Sequence, residues 1–230
     1  MGSRMWGADA KQYVVEEFCA LIQTLREDGV EPIQARLFER LEISRSTVSE
    51  TVAILDKEGY IAHRDHLDLT PEGLVVAERT LRRRRLAEVF LVEHLDLSFA
   101  ACRRDAERWQ HGISDDVEAN MISVLGRPVV CPHGNPIPYK VRRDPARVPA
   151  EQVALSTVGV GAGAELVRVR EELESTTGML DYLDGAGLRP GARLTVETLS
   201  PDGTRTVAVG DQRAGLGPFV CGRLVVTVTS

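Results

Sequence analysis

The 230-residue sequence is poor in aromatic residues (5%) and has only four cysteines, Cys19, Cys102, Cys131 and Cys221, each standing alone. Their spacing fits neither a disulfide framework nor a zinc knuckle, so reduced thiols, mostly in the core, are expected. No apolar run approaches the roughly 18 residues that a spanning helix needs. The stretch from Met1 to Met5 lacks the basic and apolar regions of a signal peptide, so a cytoplasmic protein with no membrane partner is expected. Positive charge is also scarce. The net charge is −6, acidic residues outnumber basic ones over 1–75 and 151–230, and the segment between is only slightly basic. Gripping a polyanion requires a basic face. Any nucleic-acid binding must therefore rest on a few well-placed Arg and Lys and on the avidity of a dimer. Repeats and low-complexity tracts are absent.

What is present is periodicity. Val14, Val15, Phe18, Leu21, Ile22 and Leu25 fall at helical spacing over 11–26 until Asp28-Gly29 stops the run. After Pro32, Ile33, Leu37, Phe38 and Leu41 make a second apolar face. Ser44 is placed to cap a third helix over 45–58 that turns Val48, Val52 and Leu55 inward and ends at Gly59. Two helices so tightly joined read as a helix-turn-helix. Residues 60–64 and 66–70 alternate about Asp65 as a short hairpin, the wing of a winged helix. Thr70-Pro71 opens a long helix to about Leu95, and helical stretches surround 101–113 and 115–125. This helical block suits a dimer interface.

The segment 126–149 holds six prolines and a basic cluster at Lys140, Arg142 and Arg143, and reads as a linker. Beyond it, short Val-, Thr- and Leu-rich stretches at 153–160, 165–170, 193–199, 204–209 and 223–229, with one helix at 177–184, suggest a small β-barrel. The fold class expected is α+β. A winged helix-turn-helix (1–73), a helical domain suited to dimerisation (74–139), a linker (140–152) and a small β-barrel (153–230) follow one another.

Several local strings resemble one family in particular: Ser46-Thr47-Val48-Ser49, Leu69-Thr70-Pro71-Glu72-Gly73, Arg85-Leu86-Ala87-Glu88, Arg108-Trp109-Gln110-His111, Ser114-Asp115-Asp116-Val117-Glu118, and above all Cys131-Pro132-His133-Gly134-Asn135-Pro136-Ile137-Pro138. Spanning 11–138 in order, they resemble the metal-dependent repressors typified by the diphtheria toxin repressor and the iron-dependent regulators. The resemblance implies a homodimer whose metal positions two recognition helices on a palindromic double-stranded operator, with metal binding in the helical domain 74–139 and an SH3-like, FeoA-like barrel at 153–230.

By the same resemblance the primary metal ligands fall on Glu17, Glu107, Gln110 and His111. The last three stand at i, i+3 and i+4, so one helical face carries them. Oxygen donors plus an imidazole favour Mn²⁺ or Fe²⁺ over thiophilic ions. Gln110 departs from the family pattern, because an amide there replaces a carboxylate and should weaken the site. At the ancillary site the two histidines are replaced by Arg84 and Arg103, and only Glu88 remains; residues near Thr176 and Met179 supply no clear counterparts for the barrel's ligands. A guanidinium cannot ligate a cation, so Arg84 is expected to pair with Glu88 four residues on, leaving at most one metal site per subunit, or none. Cys131 and His133 are expected as part of a structural turn, and Arg82 to Arg85 as a solvated helix face or, less favoured, a phosphate-contacting patch.

For DNA, Ser44, Arg45, Ser46, Thr47, Ser49 and Glu50 form the exposed start of the recognition helix, with Arg36, Arg64 and His66 in reach of phosphates. Glu50 accepts a hydrogen bond from cytosine where relatives carry Gln, which changes the expected operator. The function these expectations point to is repression of metal-homeostasis genes, without catalysis. The rivals are a relative that has lost metal control and acts constitutively or through another effector, bound for example by the β-barrel, and, distantly, a metal-dependent hydrolase.

Overall fold

A computed structural model describes residues 8–139 and 151–229. The basic cluster Lys140, Arg142 and Arg143 of the expected linker lies outside the described residues. The chain divides into two compact units: residues up to 84 together with 109–113, and residues 85–108 together with those from 114 onward.

In the first unit, helix α1 (Ala8–Glu27) precedes α2 (Gln34–Leu41) and α3 (Arg45–Lys57). Ser44 caps α3 as its sequence position required: the Thr47 N–H donates to Ser44 Oγ at 3.1 Å. The antiparallel strands β1 (Ile61–His63) and β2 (Asp68–Leu69) form the wing hairpin. Helix α4 (Pro71–Leu95) begins in this unit and continues into the second. Phe18, Ile22 and Leu25 of α1 share a core with Leu37, Val48, Val52, Leu55, Ile61 and Leu67. This buries the apolar stripe of each helix and presents the start of α3 to solvent. Gly73 is required where α4 starts, because a Cβ there would lie 2.0 Å from the Tyr60 carbonyl oxygen.

The second unit contains most of α5 (Ala101–Trp109), α6 (Asp115–Val124) and a six-stranded antiparallel sheet. Its strands are β3 (Gln152–Ala154), β4 (Gly163–Val169), β5 (Arg193–Leu199), β6 (Arg205–Val209), β7 (Gln212–Leu216) and β8 (Leu224–Thr229), in the order β3-β8-β4-β5-β6-β7. Short helices α7 (Glu171–Glu174), α8 (Met179–Gly185) and α9 (Pro218–Cys221) connect them. The expected strand at 153–160 is shorter than its composition suggested, since Leu155–Thr157 turn into a 3₁₀ helix. Strand β7 escaped sequence reading because Gln212-Arg213-Ala214-Gly215-Leu216 lacks β-branched residues; only Ala214 and Leu216 point inward. Helix α8 starts two residues later than expected because Gly178 takes a left-handed conformation.

The described part of the proline-rich segment does not behave as a linker. Cys131, His133 and Asn135 are buried. The segment docks on β4: the Val169 N–H donates to the His133 carbonyl at 2.9 Å, and the Asn135 amide donates to the Val169 carbonyl at 3.0 Å. Gly134 makes this approach possible. Its φ is +84°, and a Cβ would stand 2.1 Å from the Val167 carbonyl oxygen. Prolines that signal a loop by composition here stiffen a packed turn.

Candidate metal centres and nucleic-acid interface

Helix α1 and the turn after α5 bring Glu17, Gln110 and His111 together. The His111 Nε2 lies 2.9 Å from Glu17 Oε1, and the Gln110 amide donates to that same oxygen at 2.5 Å. On its other side, His111 Nδ1 lies 2.6 Å from Glu16 Oε2. Glu16 is itself buried and receives further hydrogen bonds from Gln12 at 2.9 Å and Arg79 at 3.4 Å. Burial alone would lower the His111 pKa, but hydrogen bonds to Glu16 and Glu17 outweigh it and push the imidazole up to about 9. Glu16 is held below the usual carboxylate range, its His111 hydrogen bond outweighing burial.

The cluster fits a cation in one further respect. The Gln110 Oε1 is buried and without a hydrogen-bond partner, an acceptor whose desolvation a bound ion would offset. Glu17 and Gln110 supply oxygen and His111 a nitrogen, a hard donor set. Glu107, the fourth residue of the expected set, forms an ion pair with Arg103 at 3.0 Å, one turn back along α5. Sequence reading missed Glu16. The available signal was its place three residues before the buried Cys19, at the border of the apolar stripe of α1.

A second cluster lies in the other unit. Glu88, Cys131 and His133, all buried, hold potential ligand atoms within 4.8 Å of one another. The His133 Nε2 is 2.9 Å from the Phe99 carbonyl, so this nitrogen carries the proton and donates. The opposite nitrogen, Nδ1, faces Glu88 at 3.4 Å and Cys131 Sγ at 3.9 Å. Glu174 of α7 completes the wall, accepting a hydrogen bond from Asn135 and lying 3.9 Å from His133. Burial pushes the Glu174 carboxyl up to about 7 and the Cys131 thiol up to about 12. Cys131 and His133, expected as a structural turn only, thus also form part of a group of metal-capable donors. Glu174, two residues before Thr176, is the carboxylate that the sequence did not disclose.

The arginines of α4 correct a further expectation. Arg82, Arg84 and Arg85 are buried and form neither a solvated face nor an open phosphate patch. Arg85, 1% exposed, pairs with Glu171 at 2.6 Å and donates to the Pro136 carbonyl. Arg103 lies 3.8 Å from Glu88 and also reaches Glu174 at 2.9 Å. Burial opposes its charge, yet Glu174, Glu107, Glu171 and Glu88 together raise its pKa.

The start of α3 is exposed as the sequence required: Arg45, Ser46, Thr47, Ser49 and Glu50 all face solvent. Ser44 Oγ is engaged with Ser46 Oγ at 2.7 Å and Thr47 Oγ1 at 2.8 Å. The candidate phosphate contacts already face acids: Arg36 pairs with Glu39 at 3.0 Å, Arg64 pairs with Asp56 at 2.6 Å, and His66 Nδ1 lies 2.8 Å from Glu31 Oε1. Arg45 instead lies over the Phe38 ring, 5.1 Å from its centroid. Phosphate contacts from Arg36 or Arg64 must displace a carboxylate, which keeps non-specific affinity low.

A winged helix-turn-helix with an exposed recognition helix and a carboxylate–imidazole cluster on its first helix defines a DNA-binding regulator with a metal-capable centre. Residues 13–68 match the N-terminal DNA binding domain of the iron dependent repressors. Residues 70–139 match their metal binding and dimerisation domain, and residues 153–228 match the FeoA domain. The iron-dependent repressor IdeR of Mycobacterium tuberculosis is 37% identical over 210 residues, covering 87% of this chain and 91% of that one. The diphtheria toxin repressor of Corynebacterium diphtheriae is 34% identical over 199 residues, covering 84% and 87%. A solved manganese-dependent transcriptional repressor in complex with manganese superposes with a TM-score of 0.80 at 27% identity, covering 94% of this chain and all of that one. This chain belongs to the iron-dependent repressor family.

Proposed function

We propose that the protein is a metal-responsive, sequence-specific transcriptional repressor of metal-homeostasis genes that binds a palindromic operator as a homodimer. The carrying observation is the meeting of Glu17, Gln110 and His111, with the Gln110 oxygen buried and unpartnered. Glu107 is included as the fourth member on the family resemblance alone. One ion of the Mn²⁺ or Fe²⁺ type, held there, would supply the positive charge that ties α1 to the turn after α5. Glu16 would position His111 by accepting from Nδ1–H, leaving Nε2 to ligate. Arg84, Glu88 and Arg103 make a degenerate ancillary position, so at most one ion per subunit is the reading. The ion shifts the population toward the DNA-competent arrangement by its differential affinity for the two states.

On the operator, Ser46, Thr47, Ser49 and Glu50 read bases and phosphates from the start of α3, while Arg36, Arg45, Arg64 and His66 approach the backbone. For dimerisation, Val117 and Val124 of α6 offer exposed apolar surface within the matched dimerisation domain. The function is binding and not catalysis. No helix among the described residues is long and apolar enough to cross a membrane, in keeping with a cytoplasmic regulator.

The test is a fluorescence-anisotropy titration on genomic promoter fragments at fixed salt, with chelator and then with Mn²⁺, Fe²⁺, Co²⁺, Ni²⁺ or Zn²⁺. A rise of tenfold or more with one ion, abolished in Glu107→Ala or His111→Ala, establishes roughly 1.4 kcal/mol of coupling. Equal affinity with chelator and with every ion defeats the metal-responsive reading and leaves a constitutive regulator.

A further inference from the structure

The buried Glu88–Glu174 pair needs a counter-charge, because carboxylates removed from water are tolerated only when neutralised. Two groups of the chain supply it: the His133 imidazole, which Glu174 and Glu88 hold toward its charged form against burial, and the Arg103 guanidinium. Arg103, 5% exposed, directs Nε to Glu174 at 2.9 Å and to Glu88 at 3.8 Å, while its Nη2 holds Glu107 at 3.0 Å on the opposite side. A guanidinium has five donors and no lone pair, so it can neutralise this site and can never ligate in it. Beside it stand donors that suit a metal: the Cys131 thiol, His133 Nδ1 and the Glu88 carboxylate. Phe99 holds the His133 proton on the far nitrogen. Two kinds of cation are thus served by one pair of carboxylates.

The guanidinium is also imperfectly held. Its Nε and Nη1 are buried without a hydrogen-bond partner although the ion pairs are close. Charge attraction places Arg103 here, and directional bonds do not fix it. Glu107, about half exposed, offers it an alternative carboxylate toward solvent.

We propose that Arg103 is a resident cation of the Glu88–Cys131–His133–Glu174 cluster and keeps a second divalent ion out of it. The inference deepens the metal-responsive reading and rests on it for the kind of ligand concerned. Replacing Arg103 by a neutral side chain converts the cluster into a thiolate-containing metal site, since the carboxylates then lose their guanidinium partner and the donors, whose protons leave to solvent as the ion binds, are already gathered.

The test is Co²⁺ binding to the purified full-length protein, with stoichiometry from equilibrium dialysis and cysteine ligation from thiolate-to-cobalt charge-transfer absorption. Wild type is expected to bind one Co²⁺ per subunit without the thiolate band. Arg103→Gln is expected to bind two, with the band, and Arg103→Gln/Cys131→Ser to return to one without it. Arg103→Lys, which keeps the charge, should behave as wild type. A thiolate band in saturated wild type overturns the proposal, and that measurement needs no variant to fold. So does a folded Arg103→Gln protein that binds no additional ion. If wild type binds no Co²⁺ and its DNA affinity ignores every ion, the metal-responsive reading fails; a thiolate band gained in Arg103→Gln still upholds the role of Arg103.

Discussion

His111 Nδ1 lies 2.6 Å from Glu16 Oε2, so the imidazole of the candidate primary centre is anchored by a buried carboxylate on the side away from Glu17. With its pKa at about 9, His111 is a cation at neutral pH and bridges two carboxylates as a proton-charged stand-in for the ion. Folded pKa exceeds the ordinary 6.5, so this contribution to stability is complete below about pH 6.5 and is lost as pH rises through 9. In chelator, the melting-temperature advantage of wild type over His111→Gln should shrink between those limits, by about 2–4 °C for each kcal/mol lost. A difference that stays constant with pH removes the ion-pair account.

Glu16→Gln should weaken binding of the activating ion about 10–100-fold without unfolding the protein, because a carboxylate that orients a ligating histidine also raises its basicity. Calorimetric titration against Mn²⁺ and Co²⁺ measures this. An unchanged affinity would mean that Glu16 serves the apo protein only.

Arg85 and Glu171 form a pair that water barely reaches. Losing one member strands the other's charge, so Arg85→Met should cost about 3–5 kcal/mol in urea unfolding. Arg85→Met/Glu171→Leu should recover most of that loss. Equal destabilisation by the single and double variants would show that packing, and not charge, holds this junction.

Gly134→Ala places a methyl group against the Val167 carbonyl in a left-handed backbone. The cost should exceed about 2 kcal/mol, and because His133 is the neighbouring residue, the thiolate band of Arg103→Gln should disappear in the combined variant. A lowered urea midpoint with unchanged slope is the expected signature; an unchanged midpoint would mean that the segment lifts off β4 without loss.

The sequence by itself determined the helices, the cap at Ser44 and the wing, because these follow from local periodicity and capping chemistry; it carried α5 too far, since the helix ends at Trp109 and Gln110 and His111 lie in the turn beyond it and not on one helical face with Glu107. Composition likewise sufficed for strands such as β5, where Leu194 and Val196 point inward between exposed Arg193, Thr195 and Glu197. Only the tertiary structure decided which acids meet which cations. Arg82, Arg84 and Arg85 look in sequence like a solvated face, and Glu171 and Glu174 like surface acids of a short helix, yet all are buried. Arg85 and Arg103 find those acids 86 and 71 positions along the chain. The proline-rich turn shows the same limit. Its composition signals a loop, but whether Cys131 and His133 stop at a surface or close on Glu88 depends on Gly134 letting the backbone approach β4. Burial and long-range charge pairing depend on the summed packing of distant segments, and no local pattern in the sequence records them.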